Sequence, residues 1–258
     1  MTTPPASGAL RPQQNALLGA LSASAFLRVA ATVELVPLAL GEVLYESGET
    51  MRHAFFPVDC VVSLLYVMKN GESAEIAIVG NEGMVGIALF MGGDSTISRA
   101  IVQNAGHAYR LDAKVLIAEF QRGEALSRQL MMFAQALITQ MVQTAACNRH
   151  HTVDQQLCRW MLLSLDRLPT NQINMTDRLV GNMLGLDLAR VAHATSVLND
   201  AGLIRYDEGE ITVLDRAAIE GRSCECYGVV KKESDRLLAT AAELASTEAP
   251  SINPPLGR

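Results

Sequence analysis

Apolar residues recur along this chain at several spacings, and each spacing predicts a different element. From Asn15 to Ala31, Leu17, Leu18, Leu21, Phe26 and Leu27 fall at helical intervals, and Ser22 and Ser24 are placed to cap between two short helices. From Val33 to Leu111 the pattern changes to short β runs divided by turns. Val43-Leu44-Tyr45 precedes Glu46-Ser47-Gly48-Glu49, and Val61 to Met68 and Glu75 to Val79 flank Asn70-Gly71, a strong hairpin signal. Ile97 to Gln103 and His107 to Leu111 supply two more strands. Strands of this length and spacing predict a small antiparallel barrel or jelly roll.

A long helix is predicted next, from Ala125 to Asn148. Leu126, Leu130, Phe133, Leu137, Met141 and Thr144 alternate spacings of four and three, the pattern of a coiled-coil seam. At ~1.5 Å per residue this helix runs about 35 Å, longer than one small β-domain needs. The expectation is a homodimer held through Leu130, Phe133, Leu137 and Met141; the alternative is a helix packed on its own domain. Val153 to Leu168 forms one more amphipathic helix, with Leu157, Trp160, Met161 and Leu165 inward and Pro169 at its end.

The stretch from Thr176 to Leu214 reads as a helix-turn-helix with a β-hairpin wing. Thr176 caps the first helix, and Leu179, Val180, Met183 and Leu184 share one face. Gly185 supplies the turn and Asp187 caps the second helix, where Val191, Ala194, Thr195 and Leu198 keep the inward spacing up to Gly202. Leu203 to Tyr206 and Glu210 to Leu214 are strand-like, joined by Asp207-Glu208-Gly209. Two short helices meeting at a glycine turn deliver the second into the DNA major groove. A helical hairpin with no nucleic-acid role is the alternative, and the wing favours the DNA reader.

Composition adds limits. With 258 residues the chain has room for two domains, and its 49% hydrophobic and 19% charged content is that of a globular protein. No uninterrupted apolar run approaches the ~20 residues that span a bilayer. Met1 to Ser7 lack a secretory signal, so the expectation is a cytoplasmic protein without membrane association. Residues 1–14, rich in Pro, Ser, Thr and Gln, read as disordered, as does 236–258. The divisions expected are a sensor domain over 15–124, a dimerisation helix over 125–149 and a DNA-binding domain over 150–235.

Charge opposes the DNA reading. The net charge is −6, and between residues 150 and 230 seven arginines and no lysine face eleven acids, leaving −4. DNA affinity comes largely from neutralising phosphates. The five cysteines, Cys60, Cys147, Cys158, Cys224 and Cys226, are odd in number and scattered, which predicts reduced thiols. Cys224-x-Cys226 is too short for the usual zinc knuckle, and no second pair is seen to face it. Cys147 with His150, His151 and Cys158 is a weak metal pattern, so buried thiols and exposed histidines are expected, with no metal and no cofactor. No nucleophile elbow, Walker loop or His-Glu-x-x-His pattern points to an enzyme.

The order β-roll, long helix, winged helix-turn-helix resembles the Crp/Fnr superfamily of bacterial transcription regulators. The segments that carry the resemblance are 41–49 (GEVLYESGE), 80–86 (GNEGMVG), 147–151 (CNRHH) leading into 155–160 (QQLCRW), 201–206 (AGLIRY) and 211–216 (ITVLDR). The fold class implied is α+β: an antiparallel β-roll, a long dimerisation helix and a winged helix-turn-helix. The function implied is a homodimer that couples a signal in the roll to double-stranded DNA, with RNA polymerase as a further partner. A dimeric ligand- or protein-binding module that no longer reads DNA is the alternative.

The resemblance also assigns positions. In nucleotide-binding members a Gly-Glu pair holds the ribose and an arginine followed by a small hydroxyl residue holds the phosphate. Here the acid is Glu82, with the register around Glu82-Gly83-Met84 ambiguous by one residue, and the phosphate cation falls near Asp94-Ser95. An acid there repels a phosphate. Arg99 lies on the following strand, so an unidentified effector and no cyclic nucleotide is the expectation. The amino-terminal cysteine cluster of iron–sulfur members is missing, since Cys60 is the first cysteine. In the recognition helix the base-reading positions fall on Leu188, Ala189 and His193, leaving Arg190 and His193 as the strong donors. Asp187, Thr195, Ser196, Thr176 at the first cap and Arg205 in the wing complete the expected DNA-contacting set.

Overall fold

Asn15 has no exposed surface, and it fixes how the chain enters the fold. Its Oδ1 accepts from the N–H groups of Leu17 and Leu18, capping α1 (Ala16–Gly19). Its Nδ2 donates to the carbonyls of Pro57 and Gly83 at 2.9 and 2.8 Å, tying that cap to the roll. Ser22 caps α2 (Ala23–Ala30) as its position implies, accepting from Ala25 N–H. The structure is a computed structural model, and it describes residues 10–174, 180–181, 184–207 and 209–247.

Seven strands then form the roll: β1 (Glu34–Leu38), β2 (Val43–Tyr45), β3 (His53–Pro57), β4 (Val61–Val67), β5 (Ser73–Val79), β6 (Ser98–Asn104) and β7 (Gly106–Asp112). They make two antiparallel sheets, ordered β1-β7-β3 and β2-β6-β4-β5. The β4–β5 turn is the one read from Asn70-Gly71, with Gly71 at φ 89°. Strands β1 and β3 are not marked by alternation, and each contains a proline, Pro37 and Pro57. Both are outer strands of their sheet, where a missing N–H breaks no central ladder. Asp112 then caps α3 (Ala113–Gln121).

Helix α4 (Ala125–His150) packs along the roll. Leu126, Leu130, Phe133 and Leu137 join Phe56, Leu64 and Met84 in one core. The seam expected between two copies at Leu130, Phe133, Leu137 and Met141 is therefore corrected. The first three are buried within their own chain and Met141 is half-buried against the same core. A four–three period reports that a face is covered, and is silent about what covers it. Gln129 and Gln140 on this side donate to the carbonyls of Ala20 and Ile78, so a helix long and apolar enough to span a membrane is committed to the roll. The opposite face is also apolar. Met131, Ile138 and Val142 are 59%, 49% and 61% exposed.

Thr152 and Gln155 close a capping box at the start of α5 (Val153–Leu165). Residues Gln156 to Leu165 are all buried, between the Val61, Leu65 and Ile78 side of the roll and the carboxy-terminal head. The head contains β8 (Gln172–Asn174), α6 (Leu188–Asp200), β9 (Ile204–Asp207), β10 (Glu210–Val213) and α7 (Arg216–Arg222). Its sheet runs β8-β10-β9, so β8 adds a third strand to the expected wing. Helix α8 (Glu225–Thr247) returns along α4. Over 236–247 it corrects the disordered tail expected for 236–258, whose remaining residues lie outside the described ones: the helix's Ala, Glu, Leu and Lys content favours it, and Val230 and Leu237 are buried.

A buried polar chain joins roll and head. Glu75 Oε2 lies 2.6 Å from Ser63 Oγ, which lies 2.8 Å from Gln103 Oε1. Gln103 Nε2 donates to Ser164 Oγ on α5, and Ser164 donates to the Trp160 carbonyl. The Ser63 hydroxyl has one proton for two acceptors. A protonated Glu75 supplies the missing donor and completes the chain. Burial pushes the Glu75 carboxyl up to about 7, against the pull of Ser63, Arg159 and Arg167. In the unfolded chain the group ionises near 4.5, so between 4.5 and 7 the folded state holds the extra proton. The Glu75 contribution to stability is therefore full below pH 4.5, falls as pH rises to about 7 and is level above. Glu75→Gln, which keeps a permanent donor, is expected to raise stability at pH 8 by up to about 3 kcal/mol and to abolish the slope. Urea unfolding at pH 5 and pH 8 measures both.

Candidate functional site

The head's second helix is set by its caps. Asp187 Oδ1 accepts from Arg190 N–H at 3.0 Å, and Gly185 before it takes φ 65°. Leu186 N–H reaches back to the Gly181 carbonyl at 2.9 Å. A Cβ on Gly181 would lie 2.9 Å from the Leu186 oxygen, so a side chain there blocks the close turn. Val191, Ala194 and Leu198 fill the core. Leu188, Ala189, Arg190, His193 and Ser196 are exposed on the other side of α6. Thr195, expected among the DNA contacts, is 3% exposed and belongs to the buried face, which corrects that assignment. Its spacing with Val191 and Leu198 already marks it as inward. Thr176 and Glu208 lie outside the described residues.

The wing stands beside this helix. Gly209, at φ 89°, lies in the β9–β10 turn, and Tyr206 N–H donates to Asn199 Oδ1 on α6. Arg205 is exposed on β9. Three of the head's arginines are committed inside the molecule. Arg159 is buried and donates to Thr144 Oγ1, Arg167 pairs with Glu82, and Arg216 pairs with Asp166 and Glu220. Arg190, Arg205 and Arg222 are exposed, and none forms an ion pair among the described residues. A groove of about 700 Å³ separates the turn and α6 from the β4–β5 hairpin. Arg190 and Asp187 line one wall, and Met68, Glu72 and Ala74 the other.

In the roll, the expected effector residues divide into two places. Glu82 Oε1 accepts from Arg167 Nε at 2.6 Å, and its Oε2 accepts from Gly80 N–H. Arg167 is 9% exposed and donates a second bond to the Leu163 carbonyl. The Phe133 ring from α4 rests on Gly83, where an added Cβ would sit 2.0 Å from a ring carbon. Met84 is in the core. Asp94 and Ser95 are exposed in the loop before β6, and Arg99 pairs with Glu46 at the surface. The carboxylate that would meet a ribose is thus held by a guanidinium, and an aromatic ring covers the neighbouring glycine.

The thiol expectation holds for burial, since all five cysteines are buried. The expectation that nothing faces Cys224-x-Cys226 is corrected. Cys147 and His151, at the end of α4, lie against that pair, with the four ligand atoms within 4.8 Å of one another. Sequence spacing does not reveal this, because the two pairs are 77 residues apart.

Residues 35–123 match the cyclic nucleotide-binding domain family. FixK2 from Bradyrhizobium japonicum superimposes with a TM-score of 0.65 at 16% identity, over 75% of this chain and 98% of that one. A transcriptional regulator of the Crp/Fnr family from Eubacterium rectale, described as putative, gives 0.63 at 11% identity, over 80% and 96%. TTHB099 from Thermus thermophilus, a regulator of the CRP family, gives 0.60 at 16%, over 73% and 96%. This chain has the Crp/Fnr fold. Among curated proteins none matches it in sequence.

Within the Crp/Fnr fold the departure at Glu82 is measurable. Arg167→Ala leaves a largely buried carboxylate without its partner and is expected to cost about 3 kcal/mol. Adding Glu82→Gln to that variant removes the stranded charge and is expected to recover more than half of the loss. Urea unfolding of the two variants and the parent checks this.

Proposed function

We propose that this protein is a homodimeric, DNA-binding transcription regulator whose roll does not take a cyclic nucleotide. The observation that carries the reading is the two-sided α6. Val191, Ala194 and Leu198 anchor it, while Arg190, His193 and Ser196 stand in the open beside a β-hairpin. That is the arrangement a helix needs to enter a major groove. Supporting it, the Crp/Fnr fold runs through three regulators over nearly their whole length. RNA polymerase is the partner such a regulator acts on at a promoter. An effector other than a cyclic nucleotide is supported by Arg167 holding Glu82 and Phe133 covering Gly83, the positions the resemblance assigns to a ribose. A second reading, a dimeric module that has lost DNA reading, is favoured by the acidic residues Asp207 and Glu210 in the wing.

Dimerisation is assigned to the outward face of α4. Met131, Ile138 and Val142 repeat at seven and four residues and lie in the open. Each such side chain, once covered, contributes ~1.5–3 kcal/mol, and a two-fold seam counts each twice. Light scattering is expected to give a dimer for the parent and a folded monomer for Ile138→Glu. A monomeric parent at micromolar concentration removes this assignment.

DNA binding is expected to be specific and weakly salt-dependent. Arg190, Arg205 and Arg222 give a dimer about six phosphate-seeking cations, so the log–log salt slope is expected to be no steeper than about −5. Arg190→Ala is expected to cost ~1–3 kcal/mol and to relax preference at one base pair in each half-site. Selection of bound genomic fragments at low salt tests this. No enriched two-fold motif, with Arg190→Ala equal to the parent, selects the module without DNA reading. Calorimetry with cyclic AMP is expected to register no binding, and a micromolar dissociation constant overturns the closed pocket.

A further inference from the structure

We propose that Cys147, His151, Cys224 and Cys226 form a closed, tetrahedral centre that binds one zinc ion per chain. Cys147 and His151 are one helical turn apart at the carboxy-terminal end of α4, with His151 N–H bonded to the Cys147 carbonyl. Cys224 and Cys226 bracket the first residue of α8. Cys147 Sγ and Cys224 Sγ are 3.5 Å apart, and Cys226 Sγ is 3.6 Å from His151 Nδ1. Zinc bonds of ~2.3 Å to sulfur and ~2.0 Å to nitrogen give tetrahedral edges of about 3.5–3.8 Å. Two of the six donor separations match the edges a bound ion would impose, and the other four lie within 4.8 Å, a short side-chain adjustment away. Three thiolates and an imidazole are soft and intermediate ligands, which select zinc over magnesium or calcium.

The surroundings fit the same assignment. The three sulfurs form a small cluster of their own and are at most 6% exposed. His151 turns Nδ1 toward the sulfurs, while its Nε2 lies 3.3 Å from a Glu225 carboxylate oxygen. A carboxylate on the far nitrogen fixes the tautomer and orients the ring of a metal-bound histidine. Three thiolates and a divalent ion sum to −1, and the buried guanidinium of Arg159 is the nearby cation. Four protein donors leave no open position, so the centre is structural. Its position suits that role, because Cys147 and Cys224 enclose the head and an ion between them holds both ends of that segment to the tip of α4.

The full-length protein, purified under reducing conditions without chelator, is the material for the test. Elemental analysis is expected to find one equivalent of zinc per chain. Zinc removed by chelation is expected to return at one equivalent. Cobalt(II) in its place is expected to give sulfur-to-metal charge transfer and the intense visible bands of a tetrahedral site. Cys224→Ser with Cys226→Ser is expected to lose the equivalent, while Cys158→Ser, a buried thiol outside the centre, retains it. The chelated parent tests the proposal without relying on variant folding. Failure to bind zinc or cobalt, a six-coordinate cobalt spectrum, bound iron in place of zinc, or a Cys147–Cys224 disulfide in the isolated protein overturns it. None of these readouts depends on DNA binding.

Discussion

Ten consecutive residues of α5, Gln156 to Leu165, are shielded from water, and most of the architecture follows from that. A helix covered all round needs a partner on every side. The roll supplies Val61, Leu65 and Ile78, the head supplies Val191, Leu198 and Ile211, and α8 supplies Tyr227 and Val230. The polar members of α5 are met only in part inside this packing, since Arg159 Nε and Trp160 Nε1 are buried with no hydrogen-bond partner among the described residues. Ser164 meets Gln103 from the roll, and Arg159 meets Thr144 from α4. One side of the roll and the head consequently share a core built around α5, which hydrogen bonds fix to the roll and to α4.

The long helix serves two surfaces. Its inner face closes the roll, with Phe133 lying over Gly83, and its outer face carries exposed apolar side chains. The Glu82–Arg167 pair sits at the junction of roll, α4 and α8, where one small pocket of about 110 Å³ remains. The groove beside Arg190 leaves the turn and α6 clear of the β4–β5 hairpin.

Much of this was legible in the sequence, for physical reasons. Caps at Ser22 and Asp187 and turns at Gly71 and Gly185 are local, and they stand where spacing puts them. The two-sidedness of α6 follows from its period, Thr195 included. What stayed hidden is relational. The periodicity of Leu130, Phe133 and Leu137 cannot say whether a roll or a second chain covers them. Glu82 looks like a ligand residue until Arg167, 85 positions later, is found beside it. The strands carrying Pro37 and Pro57 break the local rule because they are edges, a property of the sheet and not of the segment. The final helix was hidden by composition, since Ala and Glu suit both solvent and a helix.

The contact between Gly83 and Phe133 also constrains the order in which this protein can change. While the ring stays in place, a methyl group at position 83 would lie deep inside van der Waals contact with it, so even Ala is excluded. Shrinking Phe133 first costs ~3–5 kcal/mol through the cavity it leaves. Once that cavity exists, a side chain at 83 becomes a filler and restores packing. The same substitution is thus forbidden or favourable depending on what precedes it, so position 83 is free to change only after the long helix has changed.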